Sequence, residues 1–550
     1  MVDIQEKNNE PLAGSVSGVK RLISNNRKQY LWVAFFFLVY FLIGISVYKD
    51  YGVSWDEPMH RQIAMVSAKH LASVFLPNYQ TPEFDSLPSL ADYSARQYGV
   101  IFDLPMYVAE VLLGYDDTMP EIYYLRHLGI FFLFYISVFF FFLIVKNRFK
   151  SWWMGLTGCL FLILSPRIFA DSFYGKDVVF LSLTIISIYF FIRYLANKTF
   201  INATVFALAT AVMVSQRITG IFIPCLAVLM TAIDIVKTEK PFAQLFGNFL
   251  SLFIYLTAFM IFTVIFWPFL WNAPLGNFIN ALAVMNKFPI TYDIFYFGSF
   301  IQSTQVPWHY IPLWIMITTP LIYIFFFILG FFRIITGMIK RNLYSGHNEQ
   351  QDFLFLLLFM TPLVAVIVLN SALYDGWRHM YFIYAPFLLI AMTGFETVLG
   401  IMKQGRTGRE RRATIFIAAV IVLGLITTSY QMTRNHPFQN VYFNILVGKN
   451  GGRLFELDYW GLSFRQGLEY IVKNDQRSEI KIAANVLPVC MNNAIFLERQ
   501  DRSRLNFVDI NQADYFLTNY RWHPEEYPFN QEIFAVVVDH QKIMSVFRMR

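Results

Sequence analysis

Lys49-Asp50-Tyr51-Gly52-Val53-Ser54-Trp55-Asp56-Glu57-Pro58-Met59-His60-Arg61 follows closely on an uncharged apolar run over 31–47. Such a run reads as a membrane span. The two adjacent carboxylates just beyond its end repel each other unless a cation, a metal or a proton relay compensates them. The stretch therefore points to a polytopic α-helical membrane protein with charge concentrated at one surface. A plainer role also fits: acidic side chains are favoured at a helix start and proline is tolerated in its first turn, so Asp56-Glu57-Pro58 would open a helix.

The rest of the chain supports the membrane reading. Of 550 residues, 56% are hydrophobic, 18% aromatic and only 15% charged, a composition that excludes an ordinary soluble domain. Crossing a bilayer core takes about 20 apolar residues. On that scale the chain offers about eleven spans, centred on 31–47, 122–145, 152–164, 178–194, 203–214, 218–235, 249–267, 311–332, 353–369, 381–399 and 415–428, the third and fifth of them short. Residues 1–30 are polar and hold five basic side chains, so a cytoplasmic tail is expected there, with the first span kept as an anchor rather than cleaved as a signal. Cys159 and Cys225 lie in apolar segments and Cys490 stands alone in the tail, which indicates neither a disulfide framework nor a thiolate metal site.

Charge follows sidedness. If the N-terminus is inside, the turns that return inside carry Lys146, Arg148 and Lys150; Arg193 and Lys198; Lys237 and Lys240; Arg333, Lys340 and Arg341; and Lys403, Arg406, Arg409, Arg411 and Arg412. The net charge of +7 thus reflects topology, not a nucleic-acid surface. The first outside loop, 48–121, is acid-rich, with an interfacial helix expected over 98–113. A second large outside loop, 268–310, reads as another reclining segment. Residues 431–550 return to soluble composition and form a small non-cytoplasmic α/β domain: a helix over 462–473, strands over 480–484, 505–510 and 515–518, and a hairpin over 533–548 turning near His540.

The unusual polar sequence falls on the outside: the Asp56 loop, Ser165-Pro166-Arg167-Ile168-Phe169-Ala170-Asp171-Ser172-Phe173-Tyr174-Gly175-Lys176-Asp177, Ser215-Gln216-Arg217, and Tyr374-Asp375-Gly376-Trp377-Arg378-His379. Sugar transfer from a lipid phosphate to a hydroxyl would use this set. The hydroxyl needs a base, for which Asp56 is the candidate, and the departing phosphate needs cations beside the bilayer, for which Lys176, Arg217 and Arg378 qualify. Each also has a structural role open to it. Lys176 and Asp177 fit a helix-start pair, Arg217 fits snorkelling to headgroups, and Asp375 with Arg378 fits an i,i+3 ion pair. Glu57 with His60, or Asp56 with His60, on one helix face is the rival arrangement, a site for a divalent metal completed by Asp171 or Asp177; His127, His309 and His523 read as structural.

Together with His436-Pro437-Phe438-Gln439-Asn440-Val441-Tyr442-Phe443-Asn444, these motifs resemble bacterial GT-C type glycosyltransferases of the protein O-mannosyltransferase-like and aminoarabinose-transferase-like families. The resemblance covers most of 31–430. It implies a GT-C-like fold in a bacterial inner membrane and inverting transfer on the periplasmic face from a polyprenyl-phosphate sugar donor, with no cofactor required and a divalent metal possible. By position it makes Asp56 the catalytic carboxylate, Glu57 its companion, Asp171 and Asp177 the second acidic motif, and Asp375 and His379 supporting residues. The chain lacks the large inserted soluble domain of eukaryotic protein mannosyltransferases and its tail differs from theirs, so the acceptor stays open among protein, lipid and glycan. A polyprenyl-lipid flippase or transporter is the alternative, although transporters place their charges at mid-membrane.

Overall fold

Long uncharged stretches leave the backbone no partner in a bilayer except itself, so they fold as helices. The computed structural model describes residues 13–78, 81–237, 241–286, 291–404 and 408–550; residues 1–12 of the expected tail, Lys240 and Arg406 lie outside them. Among the described residues nine helices are long and apolar enough to cross a membrane: Arg27–Val47, Glu121–Phe149, Lys176–Ala196, Ile218–Lys237, Gln244–Phe266, Leu321–Lys340, His347–Val368, Arg378–Lys403 and Glu410–Arg434. Nine of the eleven expected spans fall on them, but the one expected over 311–332 begins in a separate helix, Tyr310–Thr318, and breaks at Pro320 before the counted Leu321–Lys340.

The two short ones differ. The segment 152–164 forms Trp152–Ile163, which breaks and resumes as Pro166–Tyr174 at an angle of 73°. Pro166 explains the break, because its ring clashes with a continuing helix and it donates no hydrogen bond. The segment 203–214 lies in Phe200–Gln216, a helix of 17 residues. Its end, like the bend, delivers polar residues to the same end of the bundle.

The first loop contains two helices. Glu57–Phe75 carries Pro58 in its first turn, as the helix-start reading expects. Asp103–Leu113 falls within the segment 98–113 where a helix was expected and leaves Val108, Val111 and Leu112 exposed. The loop 268–310 is more than a reclining segment. After the helix Pro274–Asn286 it forms a hairpin of β1 (Asp293–Tyr296) and β2 (Ser299–Gln302). Phe297 and Gly298 both have positive φ, 53° and 76°, which matches the twist of a two-residue hairpin turn. Four-residue strands around Phe-Gly, without the usual Asn-Gly or Asp-Gly, left no hairpin signal in the sequence.

The tail domain holds a sheet of β3 (Ile480–Ala484), β4 (Leu505–Phe507), β5 (Tyr515–Thr518), β6 (Glu532–Val538) and β7 (Gln541–Arg548) in the order β4-β3-β5-β7-β6. Strand β3 runs parallel to β4 and β5, and β7 antiparallel to β5 and β6. The helix Phe464–Asn474 covers one face, stacking Tyr470 on Phe534. The domain is sewn to the first loop. Val53 exchanges two hydrogen bonds with the Asn493 side chain (2.9 and 3.0 Å), Trp55 N donates to Trp460 O (3.1 Å), and Arg465 donates to the carbonyls of Lys49 and Tyr51. Any side chain at Gly52 would collide with Asn493 and the Leu462 backbone, so glycine is what lets the two segments touch.

Candidate active site

Asp56 caps the helix Glu57–Phe75 by position only; its side chain accepts no cap hydrogen bond. Its Oδ2 instead meets Lys176 Nζ at 3.1 Å and Arg378 Nη1 at 3.3 Å. Lys176 and Asp177 arrive together because the chain turns at Gly175 and starts the helix Lys176–Ala196 there. Arg378 is aimed by the turn before it, where Asp375 and Gly376 take left-handed φ values of 56° and 69°.

Around Arg378 the ion pairs continue. Its Nη1 lies 3.0 Å from Asp177 Oδ2 and its Nη2 3.0 Å from Asp375 Oδ2; Asp177 also pairs with Arg217, and Asp375 Oδ1 pairs with Arg521 at 2.8 Å. Three carboxylates and four cations thus form one network drawn from the first loop, three membrane helix ends and the tail. Arg378 is only 2% exposed, with its guanidinium 4.6 Å from the Trp460 ring centre and 5.1 Å from that of Tyr374. Lys176 lies 5.2 Å from the Tyr98 ring. Burial pushes the Asp56 carboxyl up, but Lys176 and Arg378 outweigh it and hold the group well below the usual carboxylate range. Asp56 is therefore an anion at neutral pH, and a weak base while both cations stay on it.

The structure brings together Asp56, Asp177, Lys176, Arg217, Arg378 and Asp375 of the expected set. Glu57 turns to a second network: its Oε2 accepts from Ser54 N (2.7 Å) and its Oε1 lies 3.0 Å from His127 Nε2. His60 faces Asp103 (3.6 Å), which pairs with Arg126; Arg126 and Arg61 then share Glu110. Glu57 and His60 thus engage different partners, and among the described residues no group of three His, Cys, Asp or Glu side chains is arranged to hold a metal ion. Asp171 is fully buried behind the network, with no ion pair of its own and no hydrogen bond of good geometry on either oxygen. His379 packs edge-on to Tyr374 at 4.5 Å.

Sequence reading missed Tyr98, Asp103, Arg126, Trp460, Arg521 and the role of His127. Arg126 and His127 had a signal, being ionisable residues inside an apolar span. Trp460 and Arg521 had none, because nothing local distinguishes them in a soluble domain.

Two cavities flank the network. One of about 20 Å³, bounded by Asp56, His60, Lys176 and Gln216, is roomy enough for one water. The other, of about 730 Å³, opens between the tail domain and the hairpin, with Arg521 and Glu456 in its wall.

No family model and no curated protein sequence matches the chain. Among solved structures it is similar to ArnT from Cupriavidus metallidurans bound to undecaprenyl phosphate (11% identity, 94% of this chain and 98% of that one, TM-score 0.49). It is also similar to the Archaeoglobus fulgidus oligosaccharyltransferase tethered with an acceptor peptide (11% identity, 88% of this chain, TM-score 0.46), spanning 64% of that chain's length. A third likeness is to the arabinofuranosyltransferase AftD from Mycobacteria (12% identity, 94% of this chain and 40% of that one, TM-score 0.41).

Proposed function

We propose that the chain is a GT-C type glycosyltransferase that moves a sugar from a polyprenyl-phosphate donor to an acceptor hydroxyl on the non-cytoplasmic face, by a single inverting displacement. The observation that carries this reading is the contact of Asp56 with both Lys176 and Arg378, residues far apart in the chain that meet at one end of a membrane bundle. A carboxylate among cations at headgroup depth is what this reaction needs: a proton acceptor for the incoming hydroxyl, and positive charge for the phosphate that leaves.

The reaction sequence follows from the ion pairs. A donor phosphate entering between Lys176, Arg217 and Arg378 competes with Asp56 and Asp177 for them. As the cations turn to the phosphate, Asp56 loses the charges that depress its basicity. The base is thus released by donor binding, which discourages idle hydrolysis of the donor. Attack by the acceptor oxygen on the anomeric carbon then forms the glycosidic bond, the phosphate takes the electron pair of the broken bond, and the hydroxyl proton goes to Asp56.

Asp56→Asn is expected to lose transfer by about 10²- to 10⁴-fold while still binding polyprenyl phosphate, read by transfer assay and lipid binding on purified protein. Normal turnover by that variant removes the residue from the mechanism. The network sits at helix ends, not at mid-span, which weighs against a flippase or transporter; vesicles that scramble lipid-linked sugar without forming product would favour that alternative.

A further inference from the structure

One cavity lies outside the bundle and shares only Arg521 with the ion network. We propose that this cleft of about 730 Å³, between the tail domain and the β1–β2 hairpin, is a binding subsite for a neutral, hydroxyl-rich glycan that serves as the acceptor. Its use as an acceptor site rests on the glycosyl-transfer reading above; binding in it does not.

Size and position come first. The volume is in the range of sites that hold small molecules. The cleft reaches the ion network through Arg521, which shares Asp375 with Arg378, and Arg378 touches Asp56. It approaches from the tail side, whereas the small cavity beside Lys176 lies against the bundle. The two cavities share no lining residue, so a ligand in the cleft leaves the surroundings of Lys176 free for the donor.

The lining identifies the ligand class. Trp522, 41% exposed, offers its ring in the lining, while Phe455 and Tyr459 are buried in the wall. A flat apolar face beside polar groups suits the alternating faces of a pyranose. Charge is balanced: Arg521 and Lys542 are already paired with Asp375 and Glu532, and Lys449 and Arg453 are matched in number by Glu525 and Glu526 in the lining. A ligand rich in phosphate would want an excess of cations, which is not there. In the wall, Glu456 has a buried Oε2 without a hydrogen-bond partner; burial first, and then the charge of Asp375, pushes its carboxyl up to about 8, so that at neutral pH it both donates and accepts.

The backbone is shaped for this arrangement. Tyr520 and Trp522 both adopt left-handed φ, 59° and 62°, a conformation that is strained for bulky side chains and persists where the surroundings enforce it. Here it sets Arg521 beside the rings of Trp55 (5.0 Å) and Trp522 (4.7 Å), which themselves meet edge to face, and Trp522 Nε1 donates to Asp293 O of the hairpin at 3.0 Å. The indole face is thereby fixed before any ligand arrives.

The test is saturation-transfer NMR on the full chain in nanodiscs, with soluble tri- and tetrasaccharides of hexose, N-acetylhexosamine and hexuronate, a Ser/Thr peptide and a phosphorylated glucosamine lipid as probes. Neutral oligosaccharides should bind. Trp522→Ala should weaken them by about tenfold or more, and Glu525→Cys carrying a bulky maleimide, at an exposed position of the lining, should abolish binding. Asp56→Asn should bind them normally, so a failure of the transfer reading leaves this result standing. Absence of oligosaccharide binding, binding unaffected by the blocked cysteine, or a blockable preference for the peptide or the phosphorylated lipid overturns the proposal.

Discussion

Arg378 shows how much rests on single side chains. Removing one partner from a buried ion pair leaves an uncompensated charge and costs about 3–5 kcal/mol, and Arg378 has three carboxylate partners. Two carboxyls outside the spans give this electrostatics a pH signature of opposite sign. Glu456 has its folded value raised to about 8 from the usual 4.5. Below the lower value the group is protonated in both states; above it the unfolded chain releases the proton while the folded chain keeps it, so this residue's contribution to stability falls as pH rises until the folded value is passed. Asp56 is shifted the other way, and its contribution is lost only as pH drops below the usual 3.8. Thermal unfolding in detergent between about pH 5 and 8 should therefore show the wild type losing more stability than Glu456→Gln. Parallel curves would mean that Glu456 is ionised in the fold.

At the scale of elements, the helices that carry the site are positioned by contacts that bring backbones together. Gly330 of Leu321–Lys340 and Gly394 of Tyr384–Gln404 face each other so closely that a Cβ on either would lie inside van der Waals contact of the other helix's backbone, at Ile390 O and Phe326 O respectively. Small residues at such crossings are a common way for membrane helices to pack without a hydrophobic driving force. Gly394→Leu should force the pair apart and tilt the segment that begins with Arg378, lowering both melting temperature and transfer. Gly247→Leu, where a Cβ meets nothing within 4 Å, should leave both unchanged. Equal effects would show that the crossing does not set the position of Arg378. These glycines also mark what was legible in the sequence. The spans were readable because each announces itself in consecutive apolar residues, and Asp56, Lys176, Arg217 and Arg378 were readable because charge at a span end is conspicuous. The partner of Gly330 was not, being over sixty positions away on another helix. Glu57 was placed with Asp56 by adjacency along the chain and Asp171 with Asp177 through the second acidic motif of the resemblance, but helix geometry turned Glu57 to His127 and the bend at Pro166 left Asp171 behind the network.

For the whole molecule, the tail domain is part of the site's construction rather than an attachment to it. Trp460 covers Arg378, Arg521 supplies the second partner of Asp375, and Asn493 holds Val53, three residues before Asp56. A role confined to acceptor choice predicts that a chain ending at Arg434 would still bind and slowly hydrolyse the donor. The contacts predict otherwise. Without the tail, the Gly52-Val53 backbone loses its partners, Asp375 keeps only Arg378, and Asp56 is no longer set in place. The truncated protein should therefore lose donor turnover and acceptor transfer together and become sensitive to proteolysis in the loop 48–121. A loss of transfer with donor hydrolysis and protease resistance intact would reduce the tail to a recognition module and leave the bundle alone responsible for placing Asp56.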